Sequence, residues 1–196
     1  MPEELAELIV ADAAAWRKWL EGRHGESPGV WLVLAKKHAT TPTTLRYDEA
    51  LEHALCFGWI DGQVRRRDAG SYRQRFTPRR ARSAWSRRNT ELAERLIAAG
   101  GMHPAGLAAI EAARADGRWG AAYTSPANST VPPDLAAALA GEPAAQATFE
   151  GLDGQNRYAI LYRLQTARRA ETRARRIEGF VEMLARGETP HPRRGD

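Results

Sequence analysis

Hydrophobic positions change their spacing several times along the chain, and each change marks an element. Leu5, Leu8, Ile9, Trp16, Trp19 and Leu20 punctuate an otherwise polar stretch. Asp12 is a good N-cap, so a helix is predicted over 13–22, ending near Gly22 or Gly25. Ser27-Pro28-Gly29 signals a turn. Val30 to Ala35 is a short continuous apolar run with β-branched and aromatic members, which reads as a buried strand. Residues 40–44, with Pro42, are a loop. From Tyr47 to Cys56, Ala50, Leu51, Ala54 and Leu55 recur on one helical face. Gly58 and Gly62 then bracket Trp59, Ile60 and Asp61 and break the helix. Val64 to Arg67 and Tyr72 to Thr77 read as two strands joined through Asp68-Ala69-Gly70, with Pro78 ending the second. Ser83 is the candidate N-cap of a helix running to Ala99, which Gly100-Gly101 stops. His103-Pro104 opens another helix to about Asp116.

The pattern changes after residue 118. Residues 119–132 lack periodicity and hold Pro126, Asn128, Ser129 and Pro132, so they read as a linker. Asp134 is the expected cap of a short helix to Ala140, and Pro143 opens another to Phe149. Asp153 caps a helix to Thr166 with Ile160, Leu161 and Leu164 inside. Ala170, Ala174, Ile177, Val181 and Leu184 follow at helical spacing until Gly187 and Pro190. The predicted class is α+β. An N-terminal domain over 1–118 has a small antiparallel sheet of about three strands flanked by helices. An all-α segment over 133–188 follows, and residues 189–196 form a frayed tail.

Length and composition narrow the function. A chain of 196 residues has room for one domain or two small ones and for a real core. No run of 18 apolar residues occurs, so no transmembrane helix is expected. The N-terminus Met1-Pro2-Glu3-Glu4 is acidic and lacks the pattern of a secretory signal, so a cytoplasmic protein is expected. A single cysteine, Cys56, rules out an intrachain disulfide and a multi-cysteine zinc site. Net charge is +5, carried by 26 Arg and only 3 Lys against 24 acids. That charge is concentrated: residues 61–90 hold ten Arg and two Asp, a local +8, leaving the rest of the chain slightly acidic.

Five strings carry a family resemblance. They are Ala54-Leu55-Cys56-Phe57-Gly58-Trp59-Ile60-Asp61-Gly62, Arg75-Phe76-Thr77-Pro78-Arg79-Arg80, Ser83-Ala84-Trp85-Ser86, Asn156-Arg157-Tyr158-Ala159-Ile160-Leu161-Tyr162 and Glu171-Thr172-Arg173-Ala174-Arg175-Arg176-Ile177. With them the chain resembles the YdeI/OmpD-associated family, also labelled bacteriocin-protection, over about residues 8–192. The resemblance implies a role in resistance to antimicrobial peptides and a link to an outer-membrane porin. It brings no catalytic residues.

Segment 57–88 is the candidate site. It combines Phe57, Trp59, Tyr72, Phe76 and Trp85 with the lone acid Asp61 and the pairs Arg79-Arg80 and Arg87-Arg88. Guanidinium groups grip carboxylate and phosphate oxygens bidentately. A helix beginning at Ser83 to Ser86 would add free N–H groups. One reading is an anion pocket in which Arg79, Arg80 and Ser86 hold the ligand, Trp59 and Trp85 wall it, and Asp61 orients an arginine or a ligand donor. The other is a strand pair with solvated arginines outside and aromatics inside, with Trp59 a core plug and Asp61 a turn residue or the partner of an arginine. His53 and Cys56, three apart on one helix, form a nucleophile pair only if they touch and are oriented by a third group. The five histidines show no metal spacing. No glycine-rich phosphate loop supports a nucleotide cofactor.

Three functions follow in order. The first is a non-enzymatic stress or antimicrobial-resistance protein binding an anionic small molecule or envelope component. The second is a nucleic-acid binder using the Arg-rich segment 65–88 and the basic C-terminal helix with Arg168, Arg169, Arg173, Arg175 and Arg176. The third is an enzyme with Asp61 as general base. A protein partner is a further expectation if no small ligand binds.

Overall fold

The computed structural model describes residues 5–124, 130–167 and 169–192. Its elements run β1 (Glu7–Leu8), α1 (Ala13–Arg23), β2 (Val30–Ala35), α2 (Tyr47–Cys56), β3 (Trp59–Arg66), β4 (Ser71–Pro78), α3 (Arg87–Ala98), α4 (Pro104–Ala115), α5 (Pro133–Ala140), α6 (Pro143–Glu150), α7 (Gly154–Gln165) and α8 (Ala170–Ala185). They fall into two compact units. One comprises Met1–Trp85 with Asn89–Gly120, the other Ser86–Arg88 with Ala121–Asp196.

The first unit is α+β around a sheet of order β1-β2-β4-β3. β2 is buried at all six positions, as its unbroken apolar run requires, and lies inside the sheet between β1 and β4. It pairs antiparallel with β4, from Val30 opposite Phe76 to Ala35 opposite Ser71. Directly opposed residues share a face. Val30, Leu32, Leu34, Tyr72 and Phe76 therefore point to one side. There they meet Trp16 and Leu20 of α1 and Ala50 and Ala54 of α2. Trp16 centres this core. It stacks on Trp19 at 5.2 Å, meets Phe76 at 5.8 Å and Trp59 edge-on at 6.2 Å, and its indole N–H donates to Ala50 O. Burying indoles with their N–H groups satisfied gains apolar area without a desolvation penalty. α4 docks closely because residue 106 is glycine: a Cβ there would stand 2.2 Å from Cys56 O.

The second unit is all-α among its described residues. α5 to α8 enclose Leu135, Leu139, Phe149, Ile160, Leu164, Ile177, Phe180 and Leu184. Arg173 of α8 clamps Asp134 of α5 through Nε and Nη2 (2.6 and 2.9 Å) and also donates to Leu164 O.

The predicted helices and strands form, with four differences. The sheet has a fourth strand, β1, which is parallel to β2, with Glu7 opposite Trp31 and Leu8 opposite Leu32. Two residues are too few to show a period, and their pairing is set by tertiary contact. β3 begins at Trp59, so the Gly58–Gly62 stretch that follows the end of α2 is itself strand entry and bulge. α3 begins at Arg87, because the Ser83 hydroxyl accepts the Arg80 N–H and closes a turn instead of capping a helix. α5 starts two residues earlier than expected, with Pro132 rather than Asp134 as its N-cap and Asp134 inside its first turn. Asp12 and Asp153 cap α1 and α7 as expected, accepting from Ala15 N and Asn156 N. Of the linker expected over 119–132, residues 125–129 lie outside the described residues, as do 193–196 of the expected tail. Within the rest of that tail, His191 N–H donates to Asn156 Oδ1.

Candidate functional site

The face of the sheet opposite the Trp16 core is where the arginines gather. Arg73 lies opposite Val33 and Arg75 opposite Trp31 across the β2–β4 ladder. Across the β3–β4 ladder, Arg65 lies opposite Arg73. Glu7 joins the same face through its pairing with Trp31. The β3–β4 register shifts between Asp61 and Val64. A ladder running unbroken from the Asp61–Phe76 pair would set Arg65 opposite Tyr72, on the core side. The bulge turns it outward. Buried Gln74 holds the bulge by donating to Gly62 O at 2.6 Å.

The face has its own chemistry. The Arg65 guanidinium lies 4.3 Å from the centroid of the buried Trp31 ring. Glu7 accepts from Arg67 Nε at 3.0 Å and Arg73 Nη1 at 3.2 Å. Arg67 also pairs with Asp68 and donates to the Ser71 hydroxyl. The Glu7 hydrogen bond, first, holds the Arg67 guanidinium even more firmly charged. Arg65 and Arg73 are like charges in direct opposition, an arrangement that costs stability unless an anion offsets it. Within this group four guanidinium groups meet two carboxylates, Glu7 and Asp68.

The six residues singled out in the sequence do not form one pocket. Trp59 is a core plug: it is 1% exposed and its indole N–H donates to His24 O. Asp61 accepts the Tyr47 hydroxyl at 3.0 Å rather than an arginine. Arg79 and Trp85 are together, the guanidinium lying 3.5 Å from the ring centroid and donating to Ala84 O. Trp85 itself packs on Trp119 at 4.8 Å. Nearby, buried Arg118 pairs with Asp116 and donates to Ser83 O, which fixes this corner. Arg80 is exposed. Ser86 belongs to the second unit, where it bridges to Tyr123. Neither the cavity of about 400 Å³ beside β1 nor that of about 560 Å³ on α7 is lined by any of the six.

The remaining candidates resolve simply. Burial pushes the Cys56 thiol above its ordinary value, so it stays protonated, and burial followed by the charge of Arg17 lowers His53. No group of three or more His, Cys, Asp or Glu among the described residues is arranged to hold a metal ion. No helix among them is long and apolar enough to cross a membrane. On α8, Arg173 is engaged by Asp134, and Arg176 donates to Arg163 O. Arg168 lies outside the described residues. Sequence reasoning did not single out Trp31 and Glu7. The alternation Arg73-Gln74-Arg75 was the available signal for the first, and nothing in a two-residue strand announced the second.

Comparison with known families divides the chain. Residues 128–187 match the family described as bacteriocin-protection, YdeI or OmpD-associated. The strings Asn156–Tyr162 and Glu171–Ile177 fall inside that match. Residues 8–109 match a domain of unknown function, DUF8412, and the strings at 54–62, 75–80 and 83–86 fall there. No curated protein and no solved structure matches the chain. The chain thus belongs, over just over half its length, to the DUF8412 family, and its C-terminal segment matches the YdeI/OmpD-associated family.

Proposed function

We propose that this protein is a non-enzymatic binder of an extended anionic ligand, with single-stranded nucleic acid the first candidate, and that the arginine face of the sheet is its seat. The observation that carries the reading is the opposed pair Arg65–Arg73 beside the buried indole of Trp31. Phosphates spaced along a chain satisfy several guanidinium groups at once, and they relieve the repulsion between opposed ones. The Arg65 guanidinium plane, backed by the Trp31 ring, also gives a base something to stack on.

The family name of the C-terminal segment concerns protection against bacteriocins. Many antimicrobial peptides are cationic, and a segment of local charge +8 repels them. Protection by this chain is then indirect, through its anionic ligand. A small anionic metabolite or envelope component is the second reading, favoured by Arg79 stacked on Trp85.

Fluorescence anisotropy with a labelled single-stranded oligonucleotide, titrated across salt, tests the proposal. Four phosphate contacts give a slope of log K against log salt of about −3. The double variant Arg65→Gln/Arg73→Gln is expected to flatten it by about 1.4. No oligonucleotide binding, or a slope the double variant leaves unchanged, overturns the reading. Binding of small anions alone, lost in Arg79→Ala, moves the function to the second reading.

A further inference from the structure

The second unit holds a cavity that the sheet face does not explain. Its volume is about 560 Å³, within the range of small-molecule sites. It runs along α7, lined by Gly154, Tyr158 and Tyr162 at successive i, i+4 positions, and by Ala159 and Arg163 beside them. Gly154 and Ala159 leave room, while the two tyrosines supply walls. Their ring centroids are 5.7 Å apart and the planes differ by 39°. Tyr123 meets Tyr162 edge-on at 5.0 Å and 89°, which fixes that ring.

His191 also lines the cavity, and its position is built. The His191 N–H donates to Oδ1 of Asn156, a side chain 1% exposed, at 2.8 Å. The Thr189 hydroxyl donates to His191 O at 2.7 Å. A buried asparagine spent on holding the His191 backbone keeps that residue in place.

We propose that this cavity binds a small planar aromatic acid, its ring against Tyr158 and Tyr162 and its carboxylate on Arg163. The lining carries one permanent cation, Arg163, and no carboxylate among the described residues. The N-terminus of α7 at Gly154 is already capped by the Asp153 carboxylate, so the positive charge of the lining is that of Arg163. That sign of charge disfavours a cationic aromatic ligand, which tyrosine walls alone would welcome. Burial and the neighbouring Tyr123 and Tyr162 push the Tyr158 phenol up to about 12, so it remains neutral and able to donate a hydrogen bond. The two tilted phenol rings offer faces and edges to a flat ring, which a tetrahedral anion cannot use.

The test is calorimetric titration of the full chain with 2-naphthoate, 2-naphthamide, a naphthyl trimethylammonium and inorganic phosphate. Naphthoate is expected to bind saturably at one site, at least about tenfold tighter than the amide or the cation. Arg163 is exposed, so Arg163→Gln leaves the fold intact and is expected to erase the preference for the acid. Arg163→Lys retains part of it, and Tyr162→Ala abolishes binding of all three aromatics. The Arg65→Gln/Arg73→Gln variant leaves naphthoate binding unchanged, so the result stands apart from the fate of the sheet face. Equal affinity for acid and amide, tighter binding of the cation, binding of phosphate alone, or no saturable binding overturns the proposal.

Discussion

The carboxylate of Glu7 bridges two arginines, Arg67 and Arg73, and Arg73 is the one directly opposite Arg65. The shortest strand in the sheet therefore supplies the acid that holds its most basic face together. Removing that acid acts on stability and binding in opposite directions. Glu7→Gln is expected to lower unfolding stability by about 1 kcal/mol or less, since all three side chains are partly solvated. The same change is expected to tighten oligonucleotide binding by about two- to fivefold at low salt, because an internal competitor for the guanidinium groups is gone. Urea unfolding and anisotropy on one preparation read both signs. Weaker binding in this variant would mean that Glu7 positions the arginines rather than competing for them.

Trp59 stands in the string that most resembled a pocket wall, yet its ring packs edge-on against the stacked pair Trp16 and Trp19. Its variants are expected to report on the core alone. Trp59→Phe keeps an aromatic but loses area and the hydrogen bond to His24 O, at a cost of about 1–3 kcal/mol. Oligonucleotide affinity is expected to stay within twofold of the parent under conditions where the variant is folded. A large loss of affinity with full stability would return Trp59 to the site.

Much of the fold was legible because its signals are local. Val30–Ala35 and Tyr47–Cys56 form with the boundaries their apolar patterns set, and Asp12 and Asp153 cap the helices they precede. The candidate site was less legible because its defining contact is non-local. Arg65 reaches the face of Arg73 and Trp31 only through the register shift between Asp61 and Val64. Alternation along either strand alone does not reveal which residues end opposite one another. The cluster of arginine and aromatic residues was visible in the sequence. Its division into a buried indole at Trp59, a stacked corner at Arg79 and Trp85, and an outward face at Arg65 and Arg73 was not.

The turn that joins β3 to β4 has a titration signature. The Ser71 hydroxyl, then the backbone N–H groups of Ser71 and Gly70 and the Arg67 guanidinium, hold the Asp68 carboxylate down to about 2 from an ordinary 3.8. A carboxylate whose folded value lies below its unfolded one stabilises the fold at pH above about 3.8. That contribution is lost as pH falls toward 2. Ser71→Ala removes the largest of these contacts, so the Asp68 carboxyl is expected to titrate closer to 3.8. Carbon-detected NMR of the side-chain carboxyl measures the shift directly. An unchanged midpoint would assign the depression to the backbone donors and Arg67 instead.

Two glycines inside helices should respond oppositely to the same substitution. In a helix interior, glycine to alanine ordinarily stabilises by up to about 1 kcal/mol, through lower backbone entropy in the unfolded chain. Gly179 lies on α8, exposed, with nothing within 4 Å of the position a Cβ would take. Gly179→Ala is therefore expected to stabilise by about 0.5–1 kcal/mol. Gly106 lies on α4, where the same Cβ would stand 2.2 Å from Cys56 O and 2.7 Å from Met102 Cε. The methionine can swing away, but the carbonyl is backbone at the end of α2, and it already accepts the His103 N–H at 3.0 Å. Relief requires α4 to retreat from α2, which opens the packing that glycine permits. Gly106→Ala is expected to cost about 1–3 kcal/mol, the size of other overpacking changes in a close-packed interior. Thermal unfolding of the two variants beside the parent gives both signs. A Gly106→Ala protein as stable as the parent would show that α4 docks on α2 with slack.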